Sequence, residues 1–190
     1  TTGNYNVAVG EGSLGGNTTA SNNTAVGFWS LLANTTGASN VAVGANALQG
    51  NTTGGANTAV GARSLLANTT GAELTALGNH ALHNNTTGNY NNATGVYSLY
   101  SNTTGSSNTA NGYRALFTNT TGIQNTAIGM NAARDNTTGS SNSVFGEGAF
   151  ISNTTGNYNT SIGRMSLFLN TSASYNTAVG FQALYNNTTG

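Results

Sequence analysis

The chain has 190 residues, in which four Arg balance four acids, Lys, Pro and Cys are absent, and only 4% of residues are charged. This composition excludes a disulfide framework and a thiolate metal site, and it argues against nucleic-acid binding because no basic surface is present to neutralise phosphates. No apolar run approaches the ~18 residues of a membrane span, so we expect no membrane-spanning segment.

The tetrapeptide Asn-Thr-Thr-Gly returns every 17 residues with no insertion. Numbering the repeat from this Asn as position 1, the consensus is NTTGxxNTAVGxxALxx. A strict period predicts a single uninterrupted array, here about 11 repeats over residues 1–190, with no internal domain boundary. Because the sequence starts and stops inside the motif, we expect it to be a slice of a longer array.

Within each repeat, Asn, Thr and Gly are poor helix formers, and Thr-Ala-Val at positions 8–10 is typical of a short strand. Gly at positions 4 and 11 marks two turns, which predicts two or three short strands per coil. We expect positive φ at both of these glycines. At ~3.3 Å per residue the perimeter is at most ~56 Å, which suits one coil. We therefore predict an all-β parallel β-solenoid (β-roll or β-helix) of 17-residue coils.

Stacked coils lie ~4.8 Å apart, so identical positions form ladders. We expect Val or Ile of position 10 and Leu of position 15 to fill the interior, and Asn of positions 1 and 7 to pair from coil to coil. Thr94 and Asn111 would then interrupt the interior at position 10. At position 15, the small Ala133 is followed one repeat later by the large Phe150, and we expect the pair to conserve core volume. The charged residues occupy variable positions, which we place outside.

Position 9 is Ala in 9 of 11 copies and points away from position 10 on the same strand. Two interpretations remain open: Ala tolerates a crowded bend, or stacked Ala forms a subunit interface. If it is an interface, Ala59→Glu and Ala76→Glu should break a trimer and leave a lone solenoid folded.

The segments Asn57–Leu65 and Asn176–Leu184 resemble the head repeats of trimeric autotransporter adhesins, and also the Asn/Thr/Gly repeat tracts of bacterial and phage tail-fibre-like proteins. The resemblance covers the whole chain. It implies a parallel β-roll, often trimeric, that is exposed at a cell or virion surface and used for attachment. It carries no catalytic residue over to this chain.

Catalytic chemistry has little support in the sequence. His80 and His83 occur in one repeat only, and Glu11 and Glu147 lie eight repeats apart, so no acid–base pair forms. The Gly-rich turns lack the Lys and the helix of a phosphate-binding loop. We expect neither an enzyme nor a metal or cofactor site.

Position 1 is also an N-glycosylation acceptor in every copy. The candidate glycosylation residues are Asn17, Asn34, Asn51, Asn68, Asn85, Asn102, Asn119, Asn136, Asn153, Asn170 and Asn187. The alternative is a bare Asn/Thr ladder, favoured because Asn also recurs at position 7 in the form Asn-Thr-Ala, which is not an acceptor.

Most aromatic residues fall in variable positions and are expected on the surface, where they can contact sugars, surfaces or other fibres. The candidate contact residues are Phe28, Trp29, Tyr90, Tyr97, Tyr113, Tyr158 and Tyr175. Ice binding is less favoured, since the adjacent Thr of positions 2 and 3 face opposite sides of a strand and only a single file can point outward.

These observations predict a structural segment of an extracellular fibre or adhesin shaft, located at a cell or virion surface and homo-oligomeric, either as a trimer or as an end-to-end fibre. The alternatives are a solenoid surface that binds carbohydrate or ice, with surface glycans as partners, and a repeat scaffold that carries N-linked glycans.

Overall fold

The computed structural model describes residues 2–188, which form an all-β parallel solenoid of about ten coils without a helix. Each coil contributes one three-residue strand from positions 8–10 of the repeat. The strands are β1 (Val7–Val9), β2 (Thr24–Val26), β3 (Val41–Val43), β4 (Thr58–Val60), β5 (Thr75–Leu77), β6 (Asn92–Thr94), β7 (Thr109–Asn111), β8 (Thr126–Ile128), β9 (Ser143–Phe145), β10 (Thr160–Ile162) and β11 (Thr177–Val179).

The strands form one parallel sheet in chain order, and each residue pairs with its equivalent one repeat later, as Ala42 does with Ala59. The prediction of two or three strands per coil is wrong. Beyond the strand the backbone turns repeatedly, because positions 6, 13 and 15 adopt left-handed φ; Arg63 has φ 56° and Leu65 has φ 51°. Such φ values interrupt an extended strand.

Hydrogen bonds between coils continue around the turns and offset this backbone strain. Arg63 donates its backbone N–H to the Ala45 carbonyl (2.9 Å), and Leu65 donates to the Ala81 carbonyl (3.0 Å). A left-handed non-Gly residue costs roughly 1–3 kcal/mol and persists only where its surroundings hold it. The turns of each coil are therefore held in place by the coils that stack against it.

The interior is filled by Ala of position 9, Ala or Ser of position 14 and Leu of position 15. Ala59 and Leu65 are fully buried, whereas Val60 of position 10 is 39% exposed. The prediction that position 10 fills the interior is therefore wrong. The prediction that Leu of position 15 fills it is confirmed. Alternate residues of a strand face opposite sides, so turning Ala inward turns Val outward.

The interpretation of position 9 as a subunit interface is also wrong, because the Ala side chains line the interior of their own chain. Thr94 and Asn111 consequently interrupt an outer ladder rather than the core. Ala133 and Phe150, the small–large pair of position 15, are both buried in the core as expected.

Asn side chains of positions 1 and 7 are stacked inside the solenoid, which confirms the predicted ladders. At position 1 the amides are linked directly, as where Asn85 Nδ2 donates to Asn68 Oδ1 (2.8 Å). At position 7 the amide bridges to backbone: Asn40 Oδ1 accepts from the Asn57 N–H (2.9 Å), and Asn40 Nδ2 donates to the Gly54 carbonyl (3.0 Å). The buried amides from Asn34 to Asn153 thereby find partners within the chain, whereas Asn170 Oδ1 has none among the described residues.

Glycine occupies position 11 in every coil, and it occupies position 4 in all copies except two, which carry Ala20 and Ala173. Gly95 of position 11 has φ +127°, as predicted, and a Cβ there would lie 2.7 Å from the Gly112 carbonyl oxygen. Gly54 of position 4 does not have positive φ, so that part of the prediction is wrong. It is needed for space, because a Cβ would lie 2.6 Å from Asn51 Oδ1.

Substitutions at two neighbouring residues of β4, Ala59 and Val60, test which side of the strand faces the interior. Ala59→Glu should unfold the solenoid or lower its free energy of unfolding by about 4 kcal/mol or more, because an unpaired carboxylate would enter the core. Val60→Glu places the same charge on the outer face and should leave the fold intact. Thermal unfolding followed by circular dichroism compares the two; equal losses in both variants would contradict the assigned strand orientation.

Candidate binding surfaces

The candidate glycosylation asparagines lie inside the solenoid. The nine from Asn34 to Asn170 are buried, and Asn17 and Asn187 are half-buried. Asn102 Nδ2 donates one hydrogen to Asn85 Oδ1 (2.8 Å) and the other to the Gly105 carbonyl (2.9 Å). An N-linked sugar would replace one of these hydrogens and requires access to solvent, so a glycan and this ladder exclude each other at the buried positions.

The candidate aromatic contacts do not form one surface. Phe28 and Trp29 stack on each other with ring centroids 4.5 Å apart. Tyr158 and Tyr175 occupy position 6 of successive coils and stack at 5.1 Å. Tyr90 is exposed at the same position of a distant coil and stacks on no other ring among the described residues. These aromatic residues thus offer two separate pairs and one lone ring.

Tyr97, in contrast, belongs to a larger cluster, and Tyr113 lies beside this cluster against Arg114. Positions 13 and 16 of three successive coils place rings in two files, which we call the ring strip. It comprises His80, His83, Tyr97, Tyr100, Arg114 and Phe117. Along one file His83 and Tyr100 lie 5.0 Å apart, and Tyr100 and Phe117 lie 5.2 Å apart with planes 10° from parallel. These spacings correspond to offset stacking.

Arg114 completes the second file of the ring strip. Its Cζ lies 5.1 Å from the Tyr113 ring centroid, 5.3 Å from that of Phe117 and 5.9 Å from that of Tyr97. Such distances correspond to cation–π attraction. Arg114 Nε is buried and has no hydrogen-bond partner among the described residues.

The two histidines lie side by side at the other end of the ring strip, with centroids 5.1 Å apart. His83 Nδ1 lies 2.8 Å from Asn84 Oδ1, and His80 Nδ1 contacts Asn79 Oδ1. An amide oxygen only accepts, so Nδ1 carries the proton in both neutral rings and Nε2 is the basic nitrogen. Burial lowers the pKa of His80, helped by the positive charges of His83 and Arg63.

A second surface is the outer side of the sheet, formed by positions 8 and 10 and called here the outer sheet face. Thr predominates at position 8, and Val, Ile, Leu or Phe occupies position 10 in 9 of 11 coils. The exposed members of position 10 are Val9, Val60, Leu77, Asn111, Ile128, Phe145, Ile162 and Val179. An apolar stripe therefore runs along the solenoid in contact with solvent.

Sequence reasoning missed the ring strip as a unit, although it selected one member, Tyr97, and the adjacent Tyr113. The available signal was the recurrence of His, Tyr, Arg or Phe at positions 13 and 16 of three successive repeats. Considered one repeat at a time, His80 and His83 resemble an isolated pair. In the described residues, no group of three His, Cys, Asp or Glu side chains converges in a way that could hold a metal ion.

The geometry defines the chain as a parallel β-solenoid with an apolar outer sheet face and a ring strip elsewhere on its surface. No family model matches the chain, and comparison with curated proteins and with solved structures also yields no match. A search of the described residues for a helix with the length and apolarity of a membrane span identifies none.

The position 1 ladder predicts an unusual pH dependence for Asn102→Asp. The new carboxylate would face two acceptors, Asn85 Oδ1 and the Gly105 carbonyl, so only its protonated form could donate a hydrogen bond. The pKa of this Asp should rise on folding. Stability should then be retained below the pKa of an unfolded Asp, about 3.9, and fall as pH rises through the folded pKa.

Denaturant unfolding between pH 4 and pH 8 measures this effect. Asn22→Asp is the matched control, because Asn22 is exposed and its left-handed φ suits Asp equally well. A variant at Asn102 that loses no stability toward pH 8 relative to the control would contradict the buried ladder.

Proposed function

We propose that this chain is a structural segment of an extracellular fibre or adhesin shaft, in which copies associate along the outer sheet face. The observation that carries the proposal is the apolar ladder of position 10, which points outward over nearly the whole array. Contiguous exposed apolar surface of this kind is uncommon on monomers and marks interaction sites.

The dimensions of the outer sheet face support this association. Ten steps of ~4.8 Å make the face roughly 50 Å long, and three strand residues make it about 10 Å wide. The flat area is therefore about 500 Å², and flanking positions would bring it toward the ~800 Å² that each partner contributes to a standard interface. A second copy presents the same ladder at the same spacing, so the two surfaces match in period.

The uniform stacking also suits a load-bearing shaft, since every coil repeats the same contacts and the length scales with repeat number. The proposal places the chain at a cell or virion surface, in keeping with its resemblance to adhesin and tail-fibre-like repeats. It assigns the chain no reaction and no cofactor. Trimeric association, as in many such repeats, is the stoichiometry we favour.

Substitutions on the outer sheet face test the proposal. The double variant Val60→Glu/Ile128→Glu should weaken self-association by at least about tenfold, because two carboxylates would be desolvated in every contact. The matched control is Thr53→Glu/Thr121→Glu, which adds the same charges at exposed position 3 of the same two repeats. Light scattering coupled to size-exclusion chromatography measures the mass. A monomeric wild-type chain, or equal association of both variants, would refute association through this face.

Ice binding is the second candidate for the same face. Thr of position 8 and Val of position 10 both point outward, which supplies the two parallel files that the adjacent Thr pair of positions 2 and 3 lacks. They repeat at ~4.8 Å along the solenoid and ~6.6 Å across it. Bulky Leu77 and Phe145 and polar Asn111 interrupt the flat array, which favours association between copies. Thermal hysteresis in a purified monomer would reverse this preference.

A further inference from the structure

We infer that the ring strip, together with Arg63 beside it, is a binding site for an acidic polysaccharide, in which a sugar carboxylate pairs with Arg114. This inference stands independently of the proposed association, because the strip occupies positions 13 and 16 of the turns, whereas the outer sheet face uses positions 8 and 10.

The distribution of charge points to an anionic ligand. Two of the four arginines are neutralised locally, since Arg134 pairs with Asp135 and Arg164 pairs with Glu147. Arg63 and Arg114 form no ion pair among the described residues, and both histidines lie between them in sequence. The one acid between them in sequence is Glu73, at position 6 rather than at position 13 or 16, so the positions of the strip carry two Arg and no acid.

The setting of Arg114 is that of a preorganised cation. Contacts with Tyr97, Tyr113 and Phe117 hold the guanidinium against ring faces, and its Nε is buried without a hydrogen-bond partner within residues 2–188. Because the side chain is only half-buried, an external carboxylate would pair with its Nη groups. A guanidinium has five donors in a planar fork that matches a carboxylate. A charge-assisted pair with an external carboxylate would satisfy donors that the protein leaves unused.

The shape of the surface selects an extended ligand. No enclosed pocket is found in the part of the chain that the structure describes. Arg63 and Arg114 occupy the same position three coils apart, or roughly 14 Å along the solenoid. The Tyr97 and Tyr100 hydroxyls and the histidine Nε2 atoms offer hydrogen bonds over this distance. An open strip of this length fits several units of a polymer better than a small molecule.

A polysaccharide is favoured over a nucleic acid by the number of cations. Binding to a nucleic acid is driven largely by counterion release and grows with each phosphate that is neutralised. Two arginines and two histidines would release few ions. A uronic-acid polymer needs only occasional carboxylate contacts, and its hydroxyls can use the polar groups of the strip.

Binding of polygalacturonate to the full chain tests the inference, measured by calorimetry at low ionic strength with neutral dextran as the reference polymer. Arg114→Gln should weaken binding at least about tenfold, since a charge-assisted hydrogen bond is lost. Arg164→Gln is the matched control: its Cζ also lies 5.9 Å from a ring, that of Phe181, but Glu147 already occupies its guanidinium. Arg164→Gln should bind like wild type.

Histidine protonation provides a second readout. The charged groups that act on His80 are His83 and Arg63, both of which lower its pKa, and the rings of Tyr97 and Tyr100 pack against the histidine pair. Lowering the pH from 7.5 to 5.5 should therefore add positive charge to the strip and tighten binding several-fold. Because the pKa of His80 is lowered, most of its contribution should appear toward the acidic end. The double variant His80→Gln/His83→Gln should lose this pH dependence.

Three outcomes would overturn the inference: no binding of polygalacturonate by the wild-type chain, equal binding by Arg114→Gln and wild type, or tighter binding of an oligothymidylate of matched charge. Circular dichroism of Arg114→Gln checks that its loss is not due to unfolding. The self-association of Arg114→Gln should match wild type, so failure here is distinguishable from failure of the proposed fibre association.

Discussion

The Asn ladders impose the constraint on which the rest of the structure depends. From Asn34 to Asn153 each buried amide at position 1 donates to its neighbour one coil away, and the linked amides are separated by 2.7–2.9 Å. One inserted residue would leave buried donors and acceptors unpaired, at roughly 1–3 kcal/mol each. This accounts for a repeat that holds its phase through every copy while other positions vary.

A polar interior also changes what the apolar residues can do. With Asn side chains occupying much of each coil, Ala and Leu suffice to complete the core, and the larger Val, Ile and Phe of position 10 remain outside. The solenoid is then stabilised mainly by hydrogen bonds between coils, and its exposed apolar ladder is free to contact another molecule. The proposed association depends on this arrangement, in which Asn, Ala and Leu fill the interior and the larger apolar side chains of position 10 lie outside.

The two proposed surfaces differ in a way that matches their roles. The outer sheet face repeats along nearly the whole chain, so it suits a partner with the same period, such as a second copy. The ring strip occupies three coils only and depends on residues such as Arg114 and Tyr97 that other coils lack. Positions 13 and 16 lie outside the ladders, so sequence can vary there without disturbing the stack.

The sequence by itself determined the period, the all-β class, the stacked asparagines and the turn at position 11, because each follows from residue type and exact repetition. Only the tertiary structure decided which side of Thr-Ala-Val faces inward, since this strand is apolar on both sides and a narrow core selects Ala59 over Val60. It also decided that each coil has one strand, because left-handed residues such as Leu65 give no signal in their side chains. The ring strip also depends on the tertiary structure, because residues 17 positions apart in sequence become neighbours only when the coils stack.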